Sequence, residues 1–377
     1  MPIIRLMADD SSIQRISRLT PLGDVLARVE GGVRAVTPVT RPLAAAVGAT
    51  LAENVVAAAL PTRPIALRDG FAIASGTVAD AGPYAPMPFA VLPPRVEAGD
   101  VLPEGADAIL PLDAIAPRGS GADVISAVPP GEGVLPAGSD SKPDNPLCRA
   151  GTRLRPLDIA VLAAAGMSAV TIRAPRFQIA CGSSVLTRHI EASMAMLRGI
   201  VIRAGGVLLD SREGLGAALA DERADAIIAI GGTGSGRNDH SVKTLARLGR
   251  VEAHGIAVSP GDTAAFGFAA TRPVLLAPGR LDAVLAIWLL IGRVILAKLA
   301  GTADELAPRV LPLKRKVASA IGLTEVIPVA CTAGVAEPLA SGYLSLHSLA
   351  RSDGWIVVPA DSEGYAAGTP VAAREWP

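Results

Sequence analysis

A glycine-rich segment is the part of this sequence best suited to hold an anion. Residues 231–239 (GGTGSGRND) follow an apolar strand predicted over residues 224–230 and precede a helix predicted over residues 240–248. Glycines permit positive φ angles and let backbone amides approach a ligand closely, and a helix start adds the positive end of its dipole. The segment predicts a phosphate-binding loop in which Asn238 or Asp239 caps the helix. A tight strand-to-helix connection is the alternative.

The loop differs from two common nucleotide-binding motifs. It lacks the Gly-Lys-Ser/Thr ending of a P-loop, and it is not a GxGxxG fingerprint with an acidic partner strand. Two histidines stand near candidate segments: His240 follows the loop, and His347 lies in a serine-rich C-terminal segment. A metal or acid–base role is open for both, with a solvated or structural role as the favoured alternative. The sequence predicts no Ser-His-Asp arrangement.

Strands and helices alternate around the loop. The predicted strands and helices are, in chain order, a strand at 177–181, a helix at 187–204, a strand at 206–209, a helix at 213–222, a strand at 224–230, apolar segments at 266–268 and 274–276, and a long helix at 281–299. Continuous apolar strands between helices are typical of a parallel sheet covered on both faces. Such sheets bind ligands at the carboxyl ends of their strands, which is where the loop lies.

The regions on either side of this alternating segment differ from it in composition and hydrophobic pattern. Residues 22–57 predict a helix, a Thr/Pro-rich connection and a second short helix, and residues 150–166 predict another short helix. Between them, residues 61–136 combine frequent Pro and Gly with short apolar runs, which indicates a small β-rich module. The chain after residue 309 predicts a small β domain.

Composition excludes several classes of protein. The 377 residues carry 35 Lys+Arg and 35 Asp+Glu, and 3% are aromatic, so a nucleic-acid footprint is not expected. Only five of the basic residues are lysines. Three distant cysteines without zinc spacing favour the reducing cytoplasm. The first residues lack a secretory signal pattern, and the ten apolar residues 283–292 are too short to span a bilayer, so they predict a buried helix.

Several motifs together resemble the MoeA/gephyrin family of molybdopterin molybdenumtransferases. GGTG followed by four residues and Asp is the hallmark of the molybdopterin-binding domain that this family shares with the MogA adenylyltransferases. Residues 66–72 (ALRDGFA), 102–109 (LPEGADAI), 150–154 (AGTRL) and 345–354 (SLHSLARSDG) are similar to further family signatures. Because the resemblance spans residues 20–375, it favours the multidomain MoeA type over the single-domain MogA type.

The resemblance implies a multidomain α/β plus β fold. Its parts are a helical linker segment at residues 20–57 and 137–172, an inserted β-rich module at residues 58–136, a MogA-like three-layer α/β molybdopterin-binding domain at residues 173–305, and a C-terminal β-barrel at residues 306–377. The family works as a homodimer, in which one subunit's α/β domain and the partner's β-rich module form a cleft.

The reaction implied by the resemblance belongs to molybdenum cofactor biosynthesis. Molybdate is inserted into adenylylated molybdopterin, with hydrolysis of the adenylyl group, release of AMP and help from Mg²⁺. MogA-like proteins and molybdoenzymes are the implied partners, with no nucleic acid and no membrane.

Site residues are carried over from the matching family motifs. Asp69, Asp140 and Asp210 are expected to be catalytic. Asp69 and Asp239 are expected to bind Mg²⁺, because several carboxylates around phosphates need a hard cation between them. A turn is the alternative for Asp69, and helix capping is the alternative for Asp210 and Asp239. The residues expected to bind the pterin are Gly182, Ser183, Gly231, Gly232, Thr233, Gly234, Ser235, Asp239, Pro278, Gly279 and Arg280.

Several positions depart from the family pattern. Ser183 and Ser184 stand where the family has two acids, and residues 259–263 (SPGDT) have a hydroxyl and an acid in place of two lysines. Pro328 replaces a family arginine. Each lost cationic contact weakens recognition of an anionic substrate by about 1–3 kcal/mol.

Three new cations stand in or near the same loops, and they either compensate or lie on the surface: Arg68, Arg237 and Arg280. The sequence therefore leaves three hypotheses. The first is a MoeA-like transferase; the second is a non-catalytic paralogue that binds or delivers the pterin as a carrier or chaperone. The third is a module for another phosphorylated ligand on the same scaffold.

Overall fold

The structure is a computed structural model that describes residues 14–210, 214–303 and 307–377. Within these residues the helices are, in chain order, α1 (Leu22–Gly32), α2 (Pro156–Ala164), α3 (Arg188–Arg203), α4 (Leu215–Ala220), α5 (Ser241–Leu248), α6 (Leu281–Ile287), α7 (Arg293–Ala300) and α8 (Leu346–Arg351). The strands are β1 (Val39–Pro42), β2 (Thr50–Leu51), β3 (Ile65–Ala66), β4 (Gly70–Ile73), β5 (Met87–Phe89), β6 (Arg95–Val96), β7 (Ala108–Leu110), β8 (Ile115–Arg118), β9 (Gly121–Val124), β10 (Val134–Leu135), β11 (Ala169–Arg173), β12 (Arg176–Cys181), β13 (Val207–Leu209), β14 (Ala226–Ile230), β15 (Arg250–His254), β16 (Val258–Ser259), β17 (Ala265–Ala269), β18 (Arg272–Ala277), β19 (Arg309–Pro312), β20 (Val317–Ala318), β21 (Thr324–Thr332), β22 (Val335–Pro338), β23 (Gly354–Val358), β24 (Gly364–Tyr365) and β25 (Pro370–Glu375).

The chain divides into two compact units. Unit 1 combines the described residues up to Ala52 with Gly151–Pro156 and Ala169–Pro377. Unit 2 combines Glu53–Ala150 with Leu157–Ser168.

Unit 2 is built from short strands. Two antiparallel sheets have the strand orders β6-β4-β7 and β5-β9-β8, and β3 pairs with β10. Fully buried Val78 and Leu110 belong to its main apolar core. The β-rich texture predicted for residues 61–136 is therefore confirmed, and α2 is the short helix predicted within residues 150–166.

A six-stranded sheet at the centre of unit 1 differs from the prediction at one edge. Its order is β13-β12-β14-β18-β17-β15, and the first four strands are parallel. β17 and β18 form an antiparallel hairpin whose two-residue turn is Ala270-Thr271, and β15 pairs antiparallel with β17. The fully parallel sheet predicted from the sequence is therefore wrong at this edge, because a two-residue turn reverses the chain and leaves no room for a crossover helix.

Side chains of the central sheet alternate between two cores. Along β14, Ile228 and Ile230 face a core that includes α1, α3, α6 and α7, whereas Ile227 and Ala229 face a core that includes α4 and α5. The three-layer α/β arrangement is therefore confirmed. Glu213, the first residue of the predicted helix that becomes α4, lies outside the described residues.

The apolar segment after β18 is a buried helix. α6, a π-helical turn (Trp288–Gly292) and α7 form one 20-residue helix that is long and apolar enough to cross a membrane, but 83% of its apolar window is buried inside the protein. Trp288 is 1% exposed and Ile291 is fully buried. The helix ends at Gly301, whose φ of 68° is left-handed. The predicted burial of this helix is confirmed, whereas the expectation that its apolar stretch is too short to span a bilayer is wrong, because the stretch extends beyond residues 283–292.

Residues 22–57 contain one α-helix rather than the predicted two. After α1 the chain forms β1, a 3₁₀ turn (Leu43–Ala45) and β2, and both strands pair with β11. The predicted connection contains β1, since Pro38 and Pro42 restrict the residues before them to extended conformations and Val39 and Thr40 favour a strand. The second helix, predicted after this connection, is wrong because Gly48 has a left-handed φ of 80° and Thr50–Leu51 pair with β11.

The C-terminal sheet begins inside the α/β region. Its order is β16-β21-β23-β25-β19, with β22 on β21, and β20 pairs separately with β24. β16 runs parallel to β21, so the chain segment before Pro260 belongs to this sheet. The small β domain predicted after residue 309 is confirmed. The four predicted domain boundaries stay predictions, and the one between residues 305 and 306 lies outside the described residues.

Candidate functional site

Two loops touch where β12 and β14 end. Gly231 and Gly232 have left-handed φ angles of 90° and 75°, which glycine adopts without strain. A Cβ atom on Gly232 would lie 2.3 Å from the carbonyl oxygen of Gly182, and a Cβ atom on Gly182 would lie 2.4 Å from that of Gly231. Both positions therefore require glycine because two backbones meet there. The next residue, Ser183, pairs with Asp239 in an antiparallel bridge.

Asp239 closes the glycine loop on itself. Its Oδ2 accepts a 2.7 Å hydrogen bond from the Gly236 amide. The residue at the start of α5 is His240, which makes no side-chain capping bond. The predicted capping by Asn238 or Asp239 is therefore wrong: the Asp239 carboxylate bonds to a loop amide, which lies before the helix.

The group that caps α5 comes from far away in the sequence. Gln14 is 7% exposed, and its Oε1 accepts hydrogen bonds from the amides of Val242 and Lys243 at 3.0 and 3.1 Å. Its Nε2 donates to the carbonyl oxygens of Gly232 and Gly234 at 3.1 and 2.9 Å. Sequence reasoning missed this residue, because no local pattern marks a capping group that is 228 positions away.

A third loop, residues 259–263, meets the glycine loop through hydroxyl groups. The Oγ1 atoms of Thr233 and Thr263 are 3.0 Å apart, and Thr233 is only 1% exposed. On the other side of Thr233, its carbonyl oxygen lies 3.0 Å from Nε2 of His254. His254 ends β15, a strand that sequence reasoning did not predict, so its place in the site was also missed.

A fourth loop follows β18 and carries Arg280. The Gly231 amide donates a 2.8 Å hydrogen bond to the carbonyl oxygen of Ala277, which joins this loop to the glycine loop. Arg280 forms an ion pair with Asp282, and this hydrogen bonding raises the pKa of the guanidinium above its usual value. The guanidinium also lies over the ring of Tyr343, 4.7 Å from its centroid.

Most of the new cations already have partners in the described structure. Arg68 pairs with Glu132 at 3.0 Å in unit 2, and Arg280 pairs with the 3% exposed Asp282. Arg237 lies exposed in the glycine loop. Only Arg280 and Arg237 therefore lie in these loops to compensate for the lost family lysines. The charge of Arg280 is already neutralised by Asp282, and Arg237 is exposed.

A cavity of about 360 Å³ lies between the third and fourth loops. Its walls include the 259–263 segment, Pro278 and Arg280, together with Leu19 from the N-terminal part of the chain and Leu323. Thr263, which bonds to Thr233 of the glycine loop, also lines the cavity, and the lining residue Pro278 directly follows Ala277, which accepts the Gly231 hydrogen bond.

The predicted site residues fall into separate groups. The pterin-binding candidates of the four loops come together at the carboxyl ends of β12, β14 and β18. Asp69 and Asp140 lie exposed in unit 2, where Asp69 Oδ1 accepts a 2.9 Å hydrogen bond from the Ala98 amide. Asp210 lies exposed directly after the edge strand β13. Across the described residues, no group of three His, Cys, Asp or Glu side chains is arranged to hold a metal ion.

Two of the other family-like segments make structural contacts. In residues 102–109, Asp107 accepts hydrogen bonds from the amide and hydroxyl of Ser75 at 2.6 and 2.9 Å. In residues 345–354, Ser345 caps α8 by accepting a 3.1 Å hydrogen bond from the Ser348 amide. These motifs therefore stabilise local turns and helix starts in this chain.

Comparison with protein-family models covers most of the chain. The MoeA N-terminal region (domain I and II) matches residues 18–166, a probable molybdopterin binding domain matches residues 185–298, and the MoeA C-terminal region (domain IV) matches residues 310–376. The second match contains both the glycine loop and the fourth loop.

Individual relatives agree with the family models. The chain is 27% identical over 300 residues, 73% of each chain, to a putative molybdopterin biosynthesis protein of Methanocaldococcus jannaschii. It is 29% identical over 192 residues to molybdopterin molybdenumtransferase 1 of Mycobacterium tuberculosis, covering 46% of this chain and 45% of that one. A MoeA crystal structure from Pyrococcus horikoshii has the same fold, with a TM-score of 0.77 at 22% identity over 96% of this chain and all of that one. The chain therefore belongs to the MoeA family of molybdenum cofactor biosynthesis proteins.

Proposed function

We propose that this protein binds adenylylated molybdopterin at the carboxyl end of the central sheet and inserts molybdate with release of AMP. The observation that carries the proposal is the meeting of four loops there, at Gly182–Ser183, residues 231–239, residues 259–263 and Pro278–Arg280. Glycine backbones in direct contact and hydroxyl groups at hydrogen-bond distance line this edge. Such an edge suits an anionic ligand that is held mainly by backbone amides.

The serine substitutions favour anion binding. Ser183 Oγ accepts a 3.2 Å hydrogen bond from the Val185 amide, so its hydroxyl proton remains to be donated to a phosphate oxygen. An acid at the same position would instead repel a phosphate next to the glycine loop. Ser183 therefore partly offsets the loss of the two lysines from residues 259–263.

The three acids expected to be catalytic remain proposals. Asp69, Asp140 and Asp210 are exposed, as groups that must reach a substrate need to be. We propose a cytoplasmic homodimer in which these acids serve the adenylyl group, with MogA-like proteins and molybdoenzymes as partners.

Magnesium is a separate question. The described residues form no three-ligand acid cluster, and the carboxylates of Asp69 and Asp239 already accept backbone hydrogen bonds. The donor set therefore does not fit a resident Mg²⁺ held by the protein alone. The metal role of Asp69 and Asp239 remains a prediction.

A carrier without catalysis is the second candidate. Arg280 is neutralised by Asp282, and Asp262 puts an acid into the cavity wall where the family has a lysine. Fewer available cations would weaken the hold on molybdate, a dianion, more than the hold on a pterin that backbone amides bind.

One assay separates the candidates. Purified protein is incubated with adenylylated molybdopterin and molybdate, with and without Mg²⁺, and AMP release is measured together with metal-loaded cofactor. Both products support the transferase. Tight binding without AMP release supports the carrier, and failure to bind the pterin contradicts both and leaves the module for another phosphorylated ligand.

A single variant tests the glycine loop within that assay. Asp239→Ala removes the bond to the Gly236 amide, so the loop loosens and pterin affinity is expected to fall about tenfold, which corresponds to a contribution of about 1.4 kcal/mol. Thermal unfolding is measured alongside. A loss of stability with unchanged affinity would show that Asp239 has only a structural role.

A further inference from the structure

The N-terminal strap, residues 14–20, contacts the candidate site at both of its ends. Gln14 bonds to the glycine loop and to the start of α5. Leu19, at the other end of the strap, lines the cavity beside residues 259–263. Between them, Ile16 fits against Gly255, where a Cβ atom would lie 2.4 Å from Ile16 Cγ2.

Backbone pairing fixes the strap in place. The Thr20 amide donates to the carbonyl oxygen of Gly255 at 2.8 Å, and the Ala257 amide donates to that of Thr20 at 2.8 Å. Gly255 has a left-handed φ of 82°, so both its conformation and its missing side chain admit the strap. The strap is therefore seated in a groove that its own chain provides.

Gln14 uses the groups that an anion would use. The amides of Val242 and Lys243 are among the first of α5, where the helix dipole favours negative charge. In this structure both amides donate to Gln14 Oε1. The carboxamide is neutral, so a phosphate would make stronger, charge-assisted hydrogen bonds to the same amides.

We propose that the strap is an intramolecular competitor of the anionic ligand: the Gln14 carboxamide occupies the anion position of the glycine loop and must withdraw before a phosphate group can bind there. This inference rests on the proposed function, because it takes the glycine loop as the place where the ligand's phosphate binds. The competition gives the site a built-in threshold, since a ligand has to displace a side chain that makes four hydrogen bonds. A phosphate can take over only the two that the Val242 and Lys243 amides donate.

The test compares Gln14→Ala with Ser17→Ala in the whole 377-residue chain. Ser17 is an exposed residue of the same strap, so its variant is a matched control. Affinity is measured by calorimetry for two probes, inorganic pyrophosphate and adenylylated molybdopterin. Gln14→Ala is expected to bind both about tenfold more tightly than the wild type, whereas Ser17→Ala is expected to bind both as the wild type does.

A second variant and a second measurement distinguish release of the strap from misfolding of the glycine loop. Ile16→Ala loosens the strap without removing a bond to the glycine loop and is expected to tighten pyrophosphate binding by a smaller factor. Hydrogen exchange at residues 241–248 is expected to be slow in the wild type, faster in Gln14→Ala, and slow again when pyrophosphate is added to that variant.

The two proposals fail in different ways. Tighter pyrophosphate binding by Gln14→Ala, with no pterin binding by any variant, would keep the strap as a competitor and contradict the proposed function. Equal or weaker binding of pyrophosphate by Gln14→Ala would overturn the strap proposal and show that Gln14 braces the loop. Pterin binding by the wild type in that case would leave the proposed function intact.

Discussion

The two ends of the central sheet in unit 1 use different chemistry. At the amino end, a cavity of about 880 Å³ is lined by four arginines: Arg34, Arg41, Arg176 and Arg272. At the carboxyl end, the cavity is about 360 Å³, and the neighbouring loops offer glycine backbones and threonine hydroxyls. The larger and more cationic cavity is therefore not at the end where the family motifs meet.

Two of the arginines at the amino end are engaged in bonds within the protein. At the amino end, Arg176 makes a forked contact with both carboxylate oxygens of Asp225, at 2.9 and 3.0 Å, and Arg272 donates to the carbonyl oxygens of Leu219 and Asp221. These side chains tie loops to strand ends, a task for which the planar guanidinium is suited. Arg176 and Arg272 at the large cavity therefore serve the structure of the loops, whereas the close backbone contacts lie at the end where we propose that the ligand binds.

The largest effect is expected for a glycine substitution at the carboxyl end of the central sheet. Gly232→Ala places a Cβ atom 2.3 Å from the Gly182 carbonyl oxygen at a φ of 75°. We expect a loss of about 2–4 kcal/mol in the free energy of unfolding, because strain and a backbone clash combine, and we expect no measurable pterin binding. Urea unfolding and calorimetry measure the two effects.

Gly216→Ala is the matched control for that variant. A Cβ atom on Gly216 meets nothing within 4 Å, and the residue lies in α4. The substitution is expected to stabilise the protein by about 0.5–1 kcal/mol, as a helical alanine does, with pterin binding unchanged. Normal pterin binding by Gly232→Ala would contradict the proposal that the ligand binds at the carboxyl end of the central sheet.

The next effect concerns the neutralised cation of the fourth loop. Asp282→Asn removes the charge that pairs with Arg280 and disturbs a 3% exposed group that also accepts hydrogen bonds from the amides of Ala283 and Leu344. Stability is expected to fall by about 1–3 kcal/mol, while pterin affinity rises severalfold because the Arg280 charge is released.

A double variant identifies the source of that gain. Adding Arg280→Gln to Asp282→Asn is expected to cancel the rise in affinity, as measured by calorimetry. If the gain persists without Arg280, that arginine does not face the ligand, and the binding role predicted for it is wrong.

A smaller effect is expected at the amino end. Asp225→Asn weakens the forked contact with Arg176, whose side chain is 46% exposed, so the loss of stability is expected to be about 1 kcal/mol or less. Pterin affinity is expected to remain within twofold of the wild type. A change above fivefold would mean that the amino end communicates with the site.

The smallest effect is a pH dependence. Hydrogen bonds from Arg223 lower the pKa of Asp221 from 3.8 to about 2. Because the pKa is lower in the folded protein, the stabilisation is present above about pH 4 and is lost as the pH falls towards 2. The stability difference between wild type and Asp221→Asn is therefore expected to shrink over this range, as thermal unfolding at several pH values can show. A difference that stays constant with pH would contradict the assignment.

Local sequence patterns predicted the elements that depend on local signals. The apolar runs that became β12 and β14, the buried helix after β18 and the glycine loop all rest on hydrophobic periodicity or on glycine spacing. Predictions failed where a tight turn or a distant strand partner decided the outcome. The Ala270-Thr271 turn makes β17 and β18 antiparallel, and pairing of β2 with β11 stands in place of part of a predicted helix.

The pterin-binding site stays a prediction, and the sequence anticipated where its backbone lies better than which side chains meet there. The glycine spacing located the pterin-binding candidates at the strand ends. The pairing of Arg280 with Asp282, the bond from Asp239 to Gly236 and the contact of His254 with Thr233 depend on side-chain directions. Sequence spacing does not specify those directions.

The family could be inferred from short motifs along the chain, and the three-layer α/β pattern and the glycine loop from local hydrophobic periodicity and glycine spacing. The side chain that bonds to the glycine loop could not be inferred in this way. Gln14 caps α5 across 228 positions of sequence, since folding brings the strap of residues 14–20 into the groove beside Gly255. Long-range contacts of this kind fix which amides remain for a ligand, and that is the physical reason why the composition of the site could not be inferred from its motif alone.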